Sequence, residues 1–312
     1  MPEIILNLLP VNEEEKAEFL AIAPDAIHFY ARRSTVTEAQ LSHATILFGW
    51  PRERDLSRMP NLKWFQTMWA GSDEYTKPGV LPEGVTLTSS SGSNRLSVAE
   101  HMLSSVLALC RRLPQYRDSQ REHQWSDEGA MKSLFGSTVL VVGTGNIGST
   151  FAKMCQSLGA HTIGVKRTVT RTIDGFDELH PIVSLDELLP KADVVALVLP
   201  HTPHTVGLMN RERLEQLKDD AILVNCGRGS VLDQDALAEL MQGGKLWGAA
   251  LDVTQPEPLP KDSPLWDIPN LILTPHVAGG MRLEITRRTC IRMAQENLKR
   301  YCSGEPLKNV VL

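Results

Sequence analysis

Short apolar runs separated by polar, turn-rich spacers dominate the first third of the chain. Glu3 to Leu9, Ala44 to Gly49, Trp64 to Trp69 and Gly84 to Ser89 read as strands, and Asn12 to Ala23 places its apolar residues at helical spacing. A loop of small polar residues, Ser90 to Asn94, leads to a long amphipathic stretch from Val98 to Leu113. Ser97-x-x-Glu100 suggests a capping box at its start, and Pro114 a stop. Gln115 to Ser133 is polar and predicts irregular structure. From Thr138 onward the period switches to strict strand–helix alternation. Strands are expected at Thr138 to Val142, His161 to Val165, Asp193 to Leu199, Ala221 to Val224, Leu246 to Asp252 and Asn270 to Thr274. Helices are expected over Gly148 to Leu158, ended by Gly159, and after a second capping box, Ser184-x-x-Glu187. Met281 to Cys302 reads as one final amphipathic helix. Continuous apolar strands alternating with helices predict an α/β fold with parallel sheets covered on both faces.

Composition narrows the class. At roughly 150 residues per domain, the 312 residues imply two domains, and 42% hydrophobic with 22% charged residues fits a globular chain. The net charge of -5 comes with both signs scattered, so nucleic acid is not an expected partner. No apolar run reaches the roughly 18 residues of a membrane span, and the acidic start, with Glu13-Glu14-Glu15, does not resemble a secretory signal. The five cysteines are widely spaced without a Cys-x-x-Cys pair, and His201 and His204 flank a proline with no supporting carboxylates. A cytoplasmic location and no metal site are therefore expected.

The chemistry concentrates at strand ends. Gly143-Thr144-Gly145-Asn146-Ile147-Gly148 follows a strand and opens a helix, the context that makes Gly-x-Gly-x-x-Gly a dinucleotide-binding turn. Where an NAD enzyme usually carries an acid for the ribose hydroxyls, this chain has Lys166-Arg167, which could grip a 2′-phosphate. NADP(H) is therefore expected over NAD(H), with NAD(H) still usable. Three later strand ends deliver Arg228 between two glycines, Asp252 followed by Glu257, and His276 after a proline. A histidine can protonate an alkoxide near neutral pH, a buried carboxylate beside it would fix its tautomer, and an arginine can anchor a substrate carboxylate.

These residues, with Ser97-Val98-Ala99-Glu100-His101, the Leu199-Pro200-His201-Thr202-Pro203-His204-Thr205 segment and Pro275-His276-Val277-Ala278-Gly279, resemble the D-isomer-specific 2-hydroxyacid dehydrogenases over almost the whole chain. The resemblance implies two Rossmann-like domains with the active site in the cleft between them. A discontinuous substrate domain would take 1–97 plus 283–312, and a nucleotide domain 98–282. It also implies Arg228 as the oxo acid anchor, His276 as acid/base and Glu257 as its partner. Asp252 would sit near the nicotinamide carboxamide, with Leu199, Pro200, Thr205 and Cys226 lining the cofactor site. Ala70-Gly71-Ser72 would be the loop that holds the substrate carboxylate, with Trp69 walling the pocket and Asn94 as a polar contact. Relatives of this kind are usually homodimers built through the nucleotide domain. The implied reaction is reduction of small 2-oxo acids, such as hydroxypyruvate or glyoxylate, to D-2-hydroxy acids. The basic pair resembles that of NADP-preferring members, the glyoxylate/hydroxypyruvate reductases. Met281, after the histidine loop, departs from the pattern. A cofactor-sensing, corepressor-type binding protein is the alternative from another class.

Overall fold

The computed structural model describes residues 2–169 and 172–312. They form two compact units, Met1–Asn94 with Gly280–Leu312, and Arg95–Gly279. The divisions fall three residues before the expected 97/98 and 282/283; the first coincides with the start of a helix at Arg95, earlier than its sequence pattern suggests.

In the first unit, β1 (Ile4–Asn7), α1 (Glu13–Ile22), β2 (Ile27–Tyr30), α2 (Glu38–His43), β3 (Ile46–Gly49), α3 (Glu53–Leu56), β4 (Trp64–Thr67) and β5 (Thr86–Thr88) follow in order. The five strands form a sheet ordered β2-β1-β3-β4-β5 with every pairing parallel, a doubly wound arrangement. The apolar runs divide by strand periodicity. Ile5, Ile46, Phe48 and Trp64 face one core with Phe19 of α1, while Leu6, Leu47 and Phe65 face the other with Leu41 and Tyr75. The C-terminal helix (Glu284–Cys302) returns to the first of these cores through Cys290, Ile291, Ala294 and Leu298, a helical spacing that buries one stripe. A bidentate Arg287–Glu15 pair, with both bonds at 2.8 Å, ties that helix to the start of α1.

In the second unit, α4 (Arg95–Cys110), α5 (Leu113–Arg121), β6 (Thr138–Val142), α6 (Asn146–Ser157), β7 (His161–Lys166), β8 (Glu178–Pro181), α7 (Leu185–Leu188), β9 (Val194–Leu197), α8 (Arg211–Glu215), β10 (Ile222–Asn225), α9 (Gln234–Gln242), β11 (Gly248–Leu251) and β12 (Leu271–Leu273) build a seven-stranded sheet. Its order, β12-β11-β10-β9-β6-β7-β8, with all pairs parallel, is the dinucleotide-binding order extended by one strand. Val139, Val141, Ala196 and Val224 pack under α4 and α6, and Leu140, Val142, Leu197 and Leu223 pack on the opposite face.

Several local expectations change. Ser97 lies inside α4 and is buried, and its hydroxyl donates to the Ala278 carbonyl at 2.6 Å instead of capping a helix. Ser184 makes no side-chain cap bond either. The capping boxes that do form are Asn12 with Glu15 and Thr37 with Gln40. Helix α4 ends at Cys110, short of the expected stop at Pro114, and the chain turns through a left-handed Arg112 (φ 54). Pro114 sits in the first turn of α5, where a missing N–H costs nothing, so part of the supposedly irregular Gln115–Ser133 stretch is helical. The C-terminal helix begins at Glu284 rather than Met281. The strands β2 and β8 gave no apolar alternation because both are half exposed at sheet edges.

Candidate active site

Because every strand of the second sheet is parallel, the loops after β6, β7, β9, β10, β11 and β12 all leave from one edge, where α/β sheets bind ligands. The glycine-rich turn after β6 shows a division of labour. Gly143 has φ +111, and a Cβ there would lie 2.4 Å from the Val198 carbonyl oxygen. A Cβ on Gly148 would lie 2.0 Å from the Gly143 carbonyl oxygen. Both glycines are required by the protein's own packing. Gly145 differs, since a Cβ there would meet nothing within 4 Å. Its missing side chain leaves open space at the N-cap of α6, where no side chain caps the first free N–H groups of Asn146, Ile147 and Gly148. That is the cradle a pyrophosphate needs, so this turn fits a dinucleotide. Asn146 is exposed, while Ile147 packs its side chain onto the core and offers only its backbone.

At the end of β7, Lys166 is half-buried and Arg167 exposed, and neither side chain makes a hydrogen bond or ion pair among the described residues. The loop after β9 is shaped by itself. The Thr205 hydroxyl donates to the Pro200 carbonyl at 2.6 Å and accepts from the Thr202 N–H at 2.9 Å. Thr205 thereby sets the path of Leu199 and Pro200.

Glycines also stitch neighbouring strand ends together. A Cβ on Gly227 would lie 2.6 Å from the Leu199 nitrogen, and one on Gly229 would lie 2.2 Å from the Thr254 carbonyl. Gly227-Arg228-Gly229 is therefore no simple surface turn: each glycine admits an adjacent loop, and Arg228 is held half-buried between them. Asn225, fully buried, supports it by accepting from the Gly227 N–H at 3.1 Å and donating to the Arg228 carbonyl at 3.1 Å. Burial, with the Asp252 carboxylate adding to it, pushes the Cys226 thiol far up. It stays protonated at neutral pH and is a poor candidate for oxidative control.

His276 and Glu257 meet directly, with His276 Nδ1 and Glu257 Oε2 2.8 Å apart. The other carboxylate oxygen accepts the Thr254 N–H at 3.1 Å. The carboxylate thus holds the proton on Nδ1 and leaves Nε2 outside this contact. The expectation of a buried glutamate is corrected, since the Glu257 side chain keeps 39% exposure. It sits in the exposed segment Pro256-Glu257-Pro258.

His276 has φ +51, a left-handed conformation that costs a non-glycine residue on the order of 1–3 kcal/mol. Asp252 holds it there. The Asp252 carbonyl accepts the His276 N–H at 2.8 Å. Its buried carboxylate accepts the Val277 N–H at 2.8 Å, the Ala278 N–H at 3.0 Å and the Thr274 hydroxyl at 2.6 Å. Asp252 is a brace for the histidine turn as well as a strand-end acid.

The model of the D-isomer specific 2-hydroxyacid dehydrogenase, NAD binding domain, matches residues 103–278, which span this phosphate turn and the His276 loop. The chain belongs to this family. A solved D-isomer specific 2-hydroxyacid dehydrogenase family protein from Aeromonas salmonicida superposes with a TM-score of 0.88 at 31% identity, covering 100% of this chain and 99% of that one. An NADPH-dependent glyoxylate/hydroxypyruvate reductase from Sinorhizobium meliloti, in complex with NADP and sulfate, superposes with a TM-score of 0.82 at 27% identity, covering 99% and 98%. Among curated proteins, the D-3-phosphoglycerate dehydrogenase of Mycobacterium bovis is 32% identical over 304 residues, 96% of this chain and 54% of the relative. The chain spans about half the length of that relative.

The remaining residues that the family resemblance singles out lie in the first unit. Trp69 follows β4, donates its N–H to the Thr67 hydroxyl at 3.2 Å and meets Trp50 edge-on with centroids 5.5 Å apart. Ala70, Gly71 and Ser72 form a half-exposed turn after it, and the Ser72 carbonyl accepts the Tyr75 N–H at 2.9 Å. Asn94 is the last residue before the crossing, and its side-chain oxygen is buried without a hydrogen-bond partner among the described residues. No group of three or more potential metal ligands occurs among the described residues. Sequence reasoning missed the roles of Asn225, Thr274, Ser97 and His101. Only the family-like Ser97–His101 string hinted at the last two.

Proposed function

We propose that this member of the family is an NADP(H)-preferring reductase that converts small 2-oxo acids to D-2-hydroxy acids. The observation that carries the reading is the Nδ1–Glu257 contact, which leaves His276 Nε2 free to hand on a proton at the same sheet edge as the phosphate turn. When bound, the nicotinamide supplies a hydride. The chain supplies the rest. His276 Nε2 protonates the oxygen as negative charge develops on it, Glu257 stabilises the imidazole in the required orientation, and Arg228 anchors and polarises the oxo acid. Backbone N–H groups of Ala70, Gly71 and Ser72 hold the substrate carboxylate, Trp69 limits the side chain, and Asn94 offers its amide.

Gly143, Gly145, Asn146, Ile147 and Gly148 would hold the pyrophosphate. Leu199, Pro200, Thr205, Cys226 and Asp252 would shape the nicotinamide end, and Lys166 and Arg167 the 2′-phosphate. The NADP complex of the Sinorhizobium reductase supports that cofactor, and its name supports glyoxylate or hydroxypyruvate as substrates.

The assay is consumption of NADPH against NADH over 2-oxo acids of graded size, with the Lys166→Asp/Arg167→Ser variant in parallel. The wild type is expected to favour NADPH with the smaller acids. The variant is expected to lose roughly tenfold to hundredfold of that preference, through removal of about two charged hydrogen bonds to phosphate. Binding of both cofactors without turnover would replace the reductase reading with the cofactor-sensing one.

We also assign a homodimer to the nucleotide unit. Between Leu113 and Phe135 it leaves four large apolar side chains exposed, Leu113, Trp125, Met131 and Phe135, the kind of surface that association covers. Sedimentation equilibrium at micromolar concentration is expected to give twice the chain mass; a single-chain mass would remove this assignment.

A further inference from the structure

Helix α4 touches the His276 turn at two points, and neither belongs to the machinery described so far. The Ser97 hydroxyl donates to the Ala278 carbonyl at 2.6 Å. One turn further along, His101 Nε2 lies 3.2 Å from the Thr274 hydroxyl and 3.9 Å from Asp252 Oδ1. The direction of the first His101 contact follows from proton counting. Thr274 has one hydroxyl proton and gives it to Asp252 Oδ1 at 2.6 Å, because a carboxylate only accepts. The Thr274 oxygen can then only accept, so His101 must carry its proton on Nε2.

We propose that His101 is a positioning residue for the catalytic turn, acting through Thr274 and Asp252. The chain of donors runs from His101 Nε2–H to Thr274 Oγ, and from Thr274 Oγ–H to Asp252 Oδ1. That same oxygen accepts the Val277 N–H, next to the residue held at φ +51. Three of the five residues from Thr274 to Ala278 therefore hang from one buried carboxylate, whose orientation depends on the Thr274 rotamer. That rotamer is fixed by the histidine on α4. Without the His101 donor, Thr274 can turn its hydroxyl elsewhere. Asp252 then loses a charge-assisted bond, and the left-handed conformation of His276 loses part of what offsets its cost.

The consequence for rate rests on the reading of His276 as proton donor, while the bracing itself does not. His101→Leu removes the donor and keeps apolar bulk; His101→Gln returns an N–H donor at nearly the same reach. In the intact chain, His101→Leu is expected to lower kcat about tenfold to hundredfold, the range by which hydrogen-bond supports of metal-held histidines act. KM for the oxo acid and Kd for NADPH are expected to stay within about twofold. His101→Gln is expected to recover most of the rate. Thr274→Val is expected to match His101→Leu, and the double variant to add little, as for two members of one chain.

Amide exchange in the protein without substrate, read by NMR, separates the two readings. Val277 and Ala278 are expected to exchange at least roughly tenfold faster in His101→Leu and to return towards wild type in His101→Gln. Unchanged exchange at these two amides would overturn the proposal whatever the rates do. So would a loss of protection spread evenly over α4 and the sheet, or a glutamine variant no better than leucine. Faster exchange at this turn in a chain that turns over no 2-oxo acid would sink the reductase reading and leave the brace standing.

Discussion

His276→Asn is expected to lower kcat by roughly 10²- to 10⁴-fold, the contribution of a positioned general acid. NADPH affinity is expected to remain unchanged in a fluorescence titration. Asparagine is the informative replacement for two reasons. It tolerates left-handed backbone better than most residues, so the conformation at φ +51 survives. Its amide nitrogen lies near the place of Nδ1 and can still meet Glu257, which now accepts from the histidine ring at 2.8 Å. What disappears is the donor at Nε2 alone. A rate within a few-fold of wild type would show that protonation comes from elsewhere, and the Glu257 contact would then be an ordinary surface pair.

The second large effect belongs to Arg228. Arg228→Ala is expected to raise KM for the oxo acid and lower kcat together, reducing kcat/KM by about 10³-fold, or ~4 kcal/mol at 1.36 kcal/mol per decade. A guanidinium that binds the carboxylate in the ground state and the developing charge in the transition state contributes to both constants. Arg228→Lys is expected to recover only part of this, because an ammonium cannot reproduce the planar two-pronged donor. The loop itself should survive either change, since its path is set by Gly227 against Leu199, Gly229 against Thr254 and the Asn225 side chain, none of which is altered. An unchanged KM alongside a normal circular dichroism spectrum would refute the anchoring role.

Much of this arrangement was legible along the chain because the signals are local. Runs such as Thr138-Val139-Leu140-Val141-Val142 declare a strand buried on both faces, and strand–helix alternation forces a parallel sheet whose loops leave from one edge. Gly143-x-Gly145-x-x-Gly148 could be read as a phosphate turn because its spacing and its strand-to-helix setting are local, even though the close neighbour that requires Gly143 is the distant Val198. Elements whose stability comes from neighbours were misjudged. The edge strand Glu178–Pro181 has no apolar pattern to betray it. Ser97 looked like a cap because its spacing to Glu100 is right, yet its partner is a carbonyl 181 positions away. No local rule reaches that far.

The order of residues alone dictates the class of fold, the sequence of its chemical pieces and the edge to which they are delivered. Hydrophobic periodicity and glycine placement act over a few residues and depend little on the rest of the chain. Folding in three dimensions settles which groups meet: the donor to the His276 turn, the exposed setting of Glu257, and the reason for two glycines around Arg228. Those contacts join residues tens to nearly two hundred positions apart. They exist only once the sheet has set the loops side by side, because hydrogen bonds and close backbone approaches are decided at distances of about 3 Å, far finer than any periodicity in the chain.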